Sequence, residues 1–244
     1  MQNNHDVSIM DIKFINMTKQ ELLDQILIPR IEREEKTFIV TANPEFVMHA
    51  RENKQFKETI QSADIIVPDG IGIIKAAKIK KQPLKERIAG YELMLDLLKY
   101  ANMNGLACYF LGASKLVNEK VINVIKSKYP QINIVGHHHG FFDLHDPKIK
   151  EEVAEAKPDF VFVALGMMKQ EQWISEQLPR HKKGVFIGIG GSFDTLTGEV
   201  KRAPQKWIDL NLEWLYRIIK QPFRFKRILK VFWFMILIVL GKDK

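Results

Sequence analysis

The sequence predicts an α/β fold: a mostly parallel, Rossmann-like sheet with helices on both faces, followed by a C-terminal helical appendage that associates with a membrane. Three observations predict it. Short apolar runs alternate with stretches of helical spacing from about Thr37 to Ile189, and strands alternating with helices at that interval build parallel sheets. Some of these runs are apolar throughout, as in Phe160-Val-Phe-Val-Ala-Leu165, which suits strands covered on both faces. Charge is unevenly placed: residues 216–244 hold eight Lys or Arg against Asp243 alone, a net +7 of the chain's +8. The body is therefore nearly neutral and the end is set apart. Residues 1–211 read as the α/β domain and 212–244 as a basic, amphipathic to apolar appendage.

A chain of 244 residues that is 46% hydrophobic and 27% charged has the material for one sizeable core and shows no bulk disorder. The single Cys108 lies inside Ala107-Cys-Tyr-Phe-Leu111. It reads as a buried small hydrophobe, excludes an internal disulfide and fits a reducing compartment. Met1–Asp6 carries no basic region leading into an apolar run, so no secretory signal is expected. A nucleic-acid partner is disfavoured, because the body lacks the charge and no recognised module appears.

In chain order, Val7–Asn16 reads as one or two short strands. Thr18-Lys-Gln-Glu21 is a capping pattern that opens a helix to Leu27. Thr37–Thr41 is a strand, with helical spacing from Glu45 to Ile60. Ile65-Ile-Val-Pro68 is a strand that delivers Asp69 onto a turn with Gly70 and Gly72, before a helix to about Lys80. After a basic loop, Tyr91–Met103 is helical, with Leu93, Met94, Leu97 and Leu98 on one face. Ala107–Leu111, Ile132–Gly136, Phe160–Leu165 and Val185–Ile189 are strands. Lys115–Tyr129, Pro147–Ala156 and Lys169–Gln177 are the helices among them.

Every strand ends in polar or glycine-rich residues: Thr41-Ala-Asn43, Asp69-Gly70, Gly112-Ala-Ser114, His137–Gly140, Gly166–Gln170 and Gly190-Gly-Ser192. In a parallel sheet these ends share one edge and line one crevice. Turn geometry alone accounts for the glycines; it accounts less well for Asn43, Asp69, His138 and Gln170. Asp69 by itself fits either a helix cap or a reactive carboxylate.

The glycine spacing matches neither a dinucleotide fingerprint nor a phosphate-binding P-loop, so no cofactor is expected. Backbone N–H groups at the turns, with Arg87 or Lys169, could still hold a diphosphate. Adjacent residues on a strand point to opposite faces, so His137-His-His139 cannot easily converge on one ion. No Asp-x-Asp occurs, and no metal is expected.

At the end of the chain, Val231–Leu240 is a ten-residue apolar run preceded and followed by cations. As a helix it spans about 15 Å, half the core of a bilayer. It reads as an interfacial helix on an anionic membrane surface, with a core or subunit-interface helix as the competing reading.

Taken together, Thr41-Ala-Asn-Pro-Glu45, Val67-Pro-Asp-Gly-Ile-Gly72, Arg87-Ile-Ala-Gly-Tyr-Glu-Leu-Met94, Phe110-Leu-Gly-Ala113, His138-His-Gly-Phe141, Val163–Trp173, Gly188–Asp194 with Gly198, Lys201-Arg-Ala-Pro204 and Leu212–Arg217 resemble the WecG/TagA/CpsF family of bacterial glycosyltransferases. Within it the resemblance is to the TagA/TarA branch of wall teichoic acid linkage-unit synthesis. It implies inverting, metal-independent transfer of N-acetylmannosamine from a UDP-sugar donor to undecaprenyl-diphosphate-linked N-acetylglucosamine, by a peripheral enzyme on the cytoplasmic face of the plasma membrane. It also implies Asp69 as catalytic base. The resemblance further implies that Thr41 and Asn43 line the donor-sugar or acceptor pocket and that Arg87 and Gln170 contact the nucleotide sugar. Phe141, with His138 nearby, falls where a relative has a tyrosine close to the uracil. By the same resemblance, Arg217, Arg224 and Arg227 are expected to engage the lipid diphosphate. Two alternatives stay open: another UDP-sugar, such as N-acetylmannosaminuronic acid or glucose, and a non-catalytic, membrane-tethered nucleotide-binding module. A homo-oligomer is compatible with the appendage.

Overall fold

The structure, a computed structural model, describes residues 6–210, 212–220 and 225–242, with the backbone alone at 217 and 225–228. It opens with an antiparallel hairpin, β1 (Val7–Ile9) and β2 (Ile12–Phe14), turned by Met10 and Asp11 at φ of 48° and 61°. Two successive positive-φ residues give a turn whose twist matches the strands. Thr18 then caps α1 (Lys19–Leu22). Its Oγ1 accepts from the Glu21 N–H at 3.1 Å, and the Glu21 carboxylate accepts from the Thr18 N–H at 2.8 Å, the reciprocal pair the sequence pattern expects.

The helix does not stop at Leu27. It passes through a π-helical turn, Leu23–Leu27, into α2 (Ile28–Glu32). Pro29 has no N–H and crowds the carbonyl four residues back. The wider turn, closed by the Ile28 N–H to Leu23 O, absorbs that misfit just before it.

The alternating part follows: β3 (Lys36–Ala42), α3 (Pro44–Glu52), α4 (Lys54–Gln61), β4 (Ile65–Pro68), α5 (Ile71–Ile79), α6 (Gly90–Asn104), β5 (Ala107–Gly112), α7 (Lys115–Lys128), β6 (Asn133–His138), α8 (Pro147–Glu155), β7 (Phe160–Ala164), α9 (Lys169–Gln177), β8 (Gly184–Gly188) and α10 (Ser192–Leu196). Then come α11 (Gln205–Asp209), α12 (Glu213–Lys220) and α13 (Phe225–Val239). The helical stretch expected from Glu45 to Ile60 is two helices. Asn53 leaves helical geometry and its side chain caps α4 through the Phe56 N–H at 3.0 Å.

Six strands make one sheet in the order β4-β3-β8-β7-β5-β6, and every neighbouring pair is parallel. All carboxyl ends therefore lie on one edge. Side chains alternate across the sheet. Phe38, Val40, Tyr109, Val161 and Phe186 face α3, α4, α5, α8 and α9, while Ile39, Cys108, Phe110, Phe162 and Ile187 face α1, α6, α7 and α10. Cys108 is fully buried, and burial pushes its thiol up, which keeps it protonated and unreactive.

The tail helix α13 joins this core. Phe234, Leu237 and Ile238 are buried against α3 and α5, and Lys230 pairs with Glu52 at 2.8 Å. On its other side Leu229, Phe232, Trp233, Ile236, Val239 and Leu240 are exposed. One side is thus a core element, and the other is an apolar surface open to solvent. The helix starts at Phe225 rather than Val231, which makes it about 22 Å long. Among the described residues no helix is long and apolar enough to cross a membrane.

Candidate active site

The edge formed by the carboxyl ends of the strands begins at β4. The Asp69 N–H donates to Ala42 O at 3.0 Å and continues the β3–β4 pairing one residue past Pro68. Gly70, at φ +96°, then turns the chain into α5 and is itself the residue at the N-cap position. Asp69 does not cap that helix. Its carboxylate lies instead at the start of α6, with Oδ2 in a long, weak contact of 3.5 Å from the Gly90 N–H. This is the positive end of a 15-residue helix, where a carboxylate is electrostatically favoured.

Thr41, on β3, donates its hydroxyl to Gly188 O of neighbouring β8 at 3.3 Å. It also packs against Gly90, where a Cβ would meet Thr41 atoms at 3.1–3.3 Å; the glycine lets α6 begin this close to the strand. Asn43 caps α3 by accepting from the Phe46 N–H at 3.0 Å. The Ile88 N–H donates to Pro68 O at 2.9 Å, which draws the loop before α6 against β4 and sets half-buried Arg87 beside the Asp69 turn. Thr41, Asn43, Asp69 and Arg87, scattered through 47 positions of sequence, are thus gathered at the ends of two neighbouring strands.

A second group lies under the ends of β7 and β8. Gln170 is 4% exposed. Its Oε1 accepts from the Gly190 N–H at 3.1 Å, and its Nε2 donates to Glu171 at 2.6 Å. The other carboxylate oxygen of Glu171 accepts from the Met168 N–H at 2.7 Å. Burial pushes the Glu171 carboxyl up to about 7, against the pull of these hydrogen bonds. Gln170 therefore sits as a strut beneath the crevice, bonded on both sides.

The β5–β6 end is organised by buried Asn118. Its amide nitrogen faces Phe110 O, Gly112 O and His138 O at 3.0–3.1 Å, and its Oδ1 lies 2.8 Å from His137 Nδ1. Three carbonyls fix the amide's orientation, so its oxygen can only accept and His137 carries its hydrogen on Nδ1. The His138 ring packs edge-on against Phe142 at 5.5 Å and places its Nδ1 2.8 Å from His139 O. Phe141 is 78% exposed on a turn that the Gly140 N–H ties to Ala113 O at 2.8 Å. His138 and Phe141 both lie at the β6 end of the strand-end edge, opposite Asp69 at the β4 end.

Over the start of α6, Arg202 pairs with Glu92 and stacks 5.0 Å from the Tyr91 ring centre. Among the described residues no group of three or more His, Cys, Asp or Glu is placed to hold a metal ion. Glu171, Asn118 and Arg202 were not singled out by the sequence reading. Glu171 and Arg202 do lie inside the segments that carried the family resemblance, but an acid in the first turn of a helix and an arginine in a loop read as solvated charges.

The family model described as glycosyl transferase WecG/TagA/CpsF family matches residues 7–244. The chain belongs to the WecG/TagA/CpsF family of glycosyltransferases. Two Staphylococcus aureus proteins, from strains MRSA252 and MW2, are each 37% identical to it over 243 residues. The match covers 99% of this chain and 95% of each relative, and each relative is named N-acetylglucosaminyldiphosphoundecaprenol N-acetyl-beta-D-mannosaminyltransferase. In this glycosyltransferase, Arg224 and the side chains of Arg217 and Arg227 lie outside the described residues. The backbones of Arg217 and Arg227 fall in α12 and α13.

Proposed function

We propose that this glycosyltransferase moves N-acetylmannosamine from its UDP donor to N-acetylglucosamine carried on undecaprenyl diphosphate, forming a β-linkage with inversion. The observation that carries the substrates is the match to the S. aureus N-acetylmannosaminyltransferases over 99% of the chain. Asp69 is the base. The acceptor hydroxyl oxygen attacks the anomeric carbon, its proton passes to the Asp69 carboxylate, and the bond from that carbon to the β-phosphate oxygen breaks, leaving UDP with the electron pair. The position of Asp69, at the strand-end crevice and facing the first turn of α6, supports this role.

Thr41 and Asn43 shape the sugar pocket beside it. Arg87 meets the nucleotide sugar, and Gln170 supports that site from below. His138 and Phe141 form the nucleoside end, where an exposed phenyl ring offers a stacking face. Arginines and backbone N–H groups stabilise the departing diphosphate, so that no metal is required. The exposed apolar side of α13 rests on the cytoplasmic face of the membrane. Arg217, Arg224 and Arg227 there meet the acceptor's diphosphate.

The test is transfer of radiolabel from UDP-N-acetylmannosamine to a lipid-linked N-acetylglucosamine analogue by the full chain, screened against UDP-N-acetylmannosaminuronic acid and UDP-glucose. Preference for another donor would overturn the sugar assignment. Full activity in folded Asp69→Asn would overturn the base, and UDP binding without turnover on any lipid acceptor would overturn catalysis itself.

A further inference from the structure

Glu171 is a carboxylate 1% exposed, with no cation among the groups that perturb it. Burying a carboxylate without a counter-ion is costly, so its place in the fold needs a reason. Its surroundings supply one. The Gly190 N–H can only donate, which forces the Gln170 amide oxygen towards it and the amide nitrogen towards residue 171. The Met168 N–H, on the other side, also can only donate. Residue 171 must therefore accept on both of its terminal atoms. A carboxylate does so and an amide does not.

The closeness of the packing adds a second constraint. A Cβ on Gly188 would fall 2.5 Å from Gln170 Nε2 and 2.9 Å from Glu171 Oε1. The pair thus presses directly on the last residue of β8, whose carbonyl receives the Thr41 hydroxyl. Met168 stands at φ +74°, a conformation side chains avoid, and its N–H is held by Glu171. One carboxylate accordingly links the turn after β7, the turn after β8 and, through Gly188, the Thr41 end of β3.

We propose that Glu171 is a positioning residue for the glycosyl transfer, acting through Gln170 to fix the Gly188–Gly190 turn that floors the crevice beside Thr41. The role rests on the reading of that crevice as the transferase site. A side chain that merely supported folding would alter stability and leave the kinetics of the folded enzyme alone. A positioning residue also alters kcat, because small displacements of groups around reacting atoms are expensive.

The experiment compares the full-length enzyme with Glu171→Gln and with the exchanged pair Gln170→Glu/Glu171→Gln, which restores an acceptor for each donor with the carboxylate moved one residue. Amide hydrogen exchange at Gly190 and Met168 is followed by NMR without substrate, and kcat and KM are measured for wild type and Glu171→Gln. Expected is exchange at least about tenfold faster at Gly190 in Glu171→Gln, protection regained in the exchanged pair, and kcat lowered roughly 10–100-fold in the folded single variant. Unchanged Gly190 protection in Glu171→Gln, or no recovery in the exchanged pair, would overturn the hydrogen-bond linkage. Altered exchange with wild-type kcat and KM would leave Glu171 a structural residue and overturn the positioning role. A wild-type enzyme inactive on the proposed substrates would instead refute the transferase reading, and the positioning role with it, while the exchange data still decided the linkage.

Discussion

Replacing Phe232 and Trp233 together with serine separates the two sides of α13. These neighbours are 57% and 52% exposed, whereas Phe234, the next residue, is fully buried. An aromatic side chain carries about 150–250 Å² of surface, so roughly 100 Å² of each exposed ring is free to enter a lipid interface. At about 25 cal/mol per Å² this is worth ~2.5 kcal/mol per ring, or ~5 kcal/mol for the pair if both insert fully. Shallow insertion halves it, so the double variant should lose about two to four decades of affinity for anionic vesicles. Its melting temperature should fall less than that of a variant at fully buried Phe234, since about half of each ring is already exposed. Phe234→Ala should do the opposite, costing about 3–5 kcal/mol of stability as a core truncation does, while the folded fraction still binds vesicles. Sedimentation with vesicles across a salt series reads the first effect, and urea unfolding reads the second. Unchanged vesicle binding by Phe232→Ser/Trp233→Ser would refute the lipid-facing assignment. If the same variant converted a dimer to a monomer, the exposed side would be a subunit interface.

Other outcomes follow from the site and the core. Asp69→Asn should lower kcat by about 10²–10⁴-fold with an unaltered fold, as loss of a general base does, read by product formation and circular dichroism. Asn118→Leu removes the only side chain that joins Phe110, Gly112 and His138 carbonyls to His137 among the described hydrogen bonds. It should cost about 2–4 kcal/mol through unsatisfied buried groups, measured by urea unfolding. Stability should also depend on pH in two opposed ways. Glu171, raised from 4.5 to about 7 in the fold, contributes stability that is present below about 4.5 and lost as pH rises through 7, on the order of 3 kcal/mol in all. Buried His181, lowered from 6.5 to about 4, contributes stability that is present above 6.5 and lost as pH falls through 4. The two slopes should offset one another between about 4.5 and 6.5. In Glu171→Gln only the His181 slope should remain, so urea midpoints that still fell between pH 6.5 and 8 would refute the assignment.

Much of this was legible locally. The Thr18–Glu21 capping box, the strands of the parallel sheet and the helices between them follow from spacing, because each depends on residues within a few positions of one another. Boundaries moved where a single residue acted through the backbone. Pro29 widened a helix that continues to Glu32, and Asn53 divided a helical stretch by capping its second half. The shared strand-end edge was foreseeable, since parallel strands place their carboxyl ends together. The roles beneath it were not. Glu171 looks like a surface residue at the start of a helix, and Gln170, a candidate for the strand-end site, carries no local sign that it is buried beneath it. Their burial depends on Gly188 and Gly190, which arrive about twenty residues later on another strand.

By itself, then, the sequence determined the α/β class, the order of the elements, the strand-end location of Asp69 and the basic, aromatic character of the tail. Each is a property of composition or short-range spacing. Tertiary structure alone decided that Asp69 faces the start of α6 instead of capping α5, that Gln170 is buried and bonded to both Gly190 and Glu171, and that α13 gives one side to the core. These depend on which surfaces meet across the sheet. For residues 231–239 of α13, apolar on all sides, hydrophobicity could not tell a buried face from an exposed one; packing against α3 and α5 made the choice.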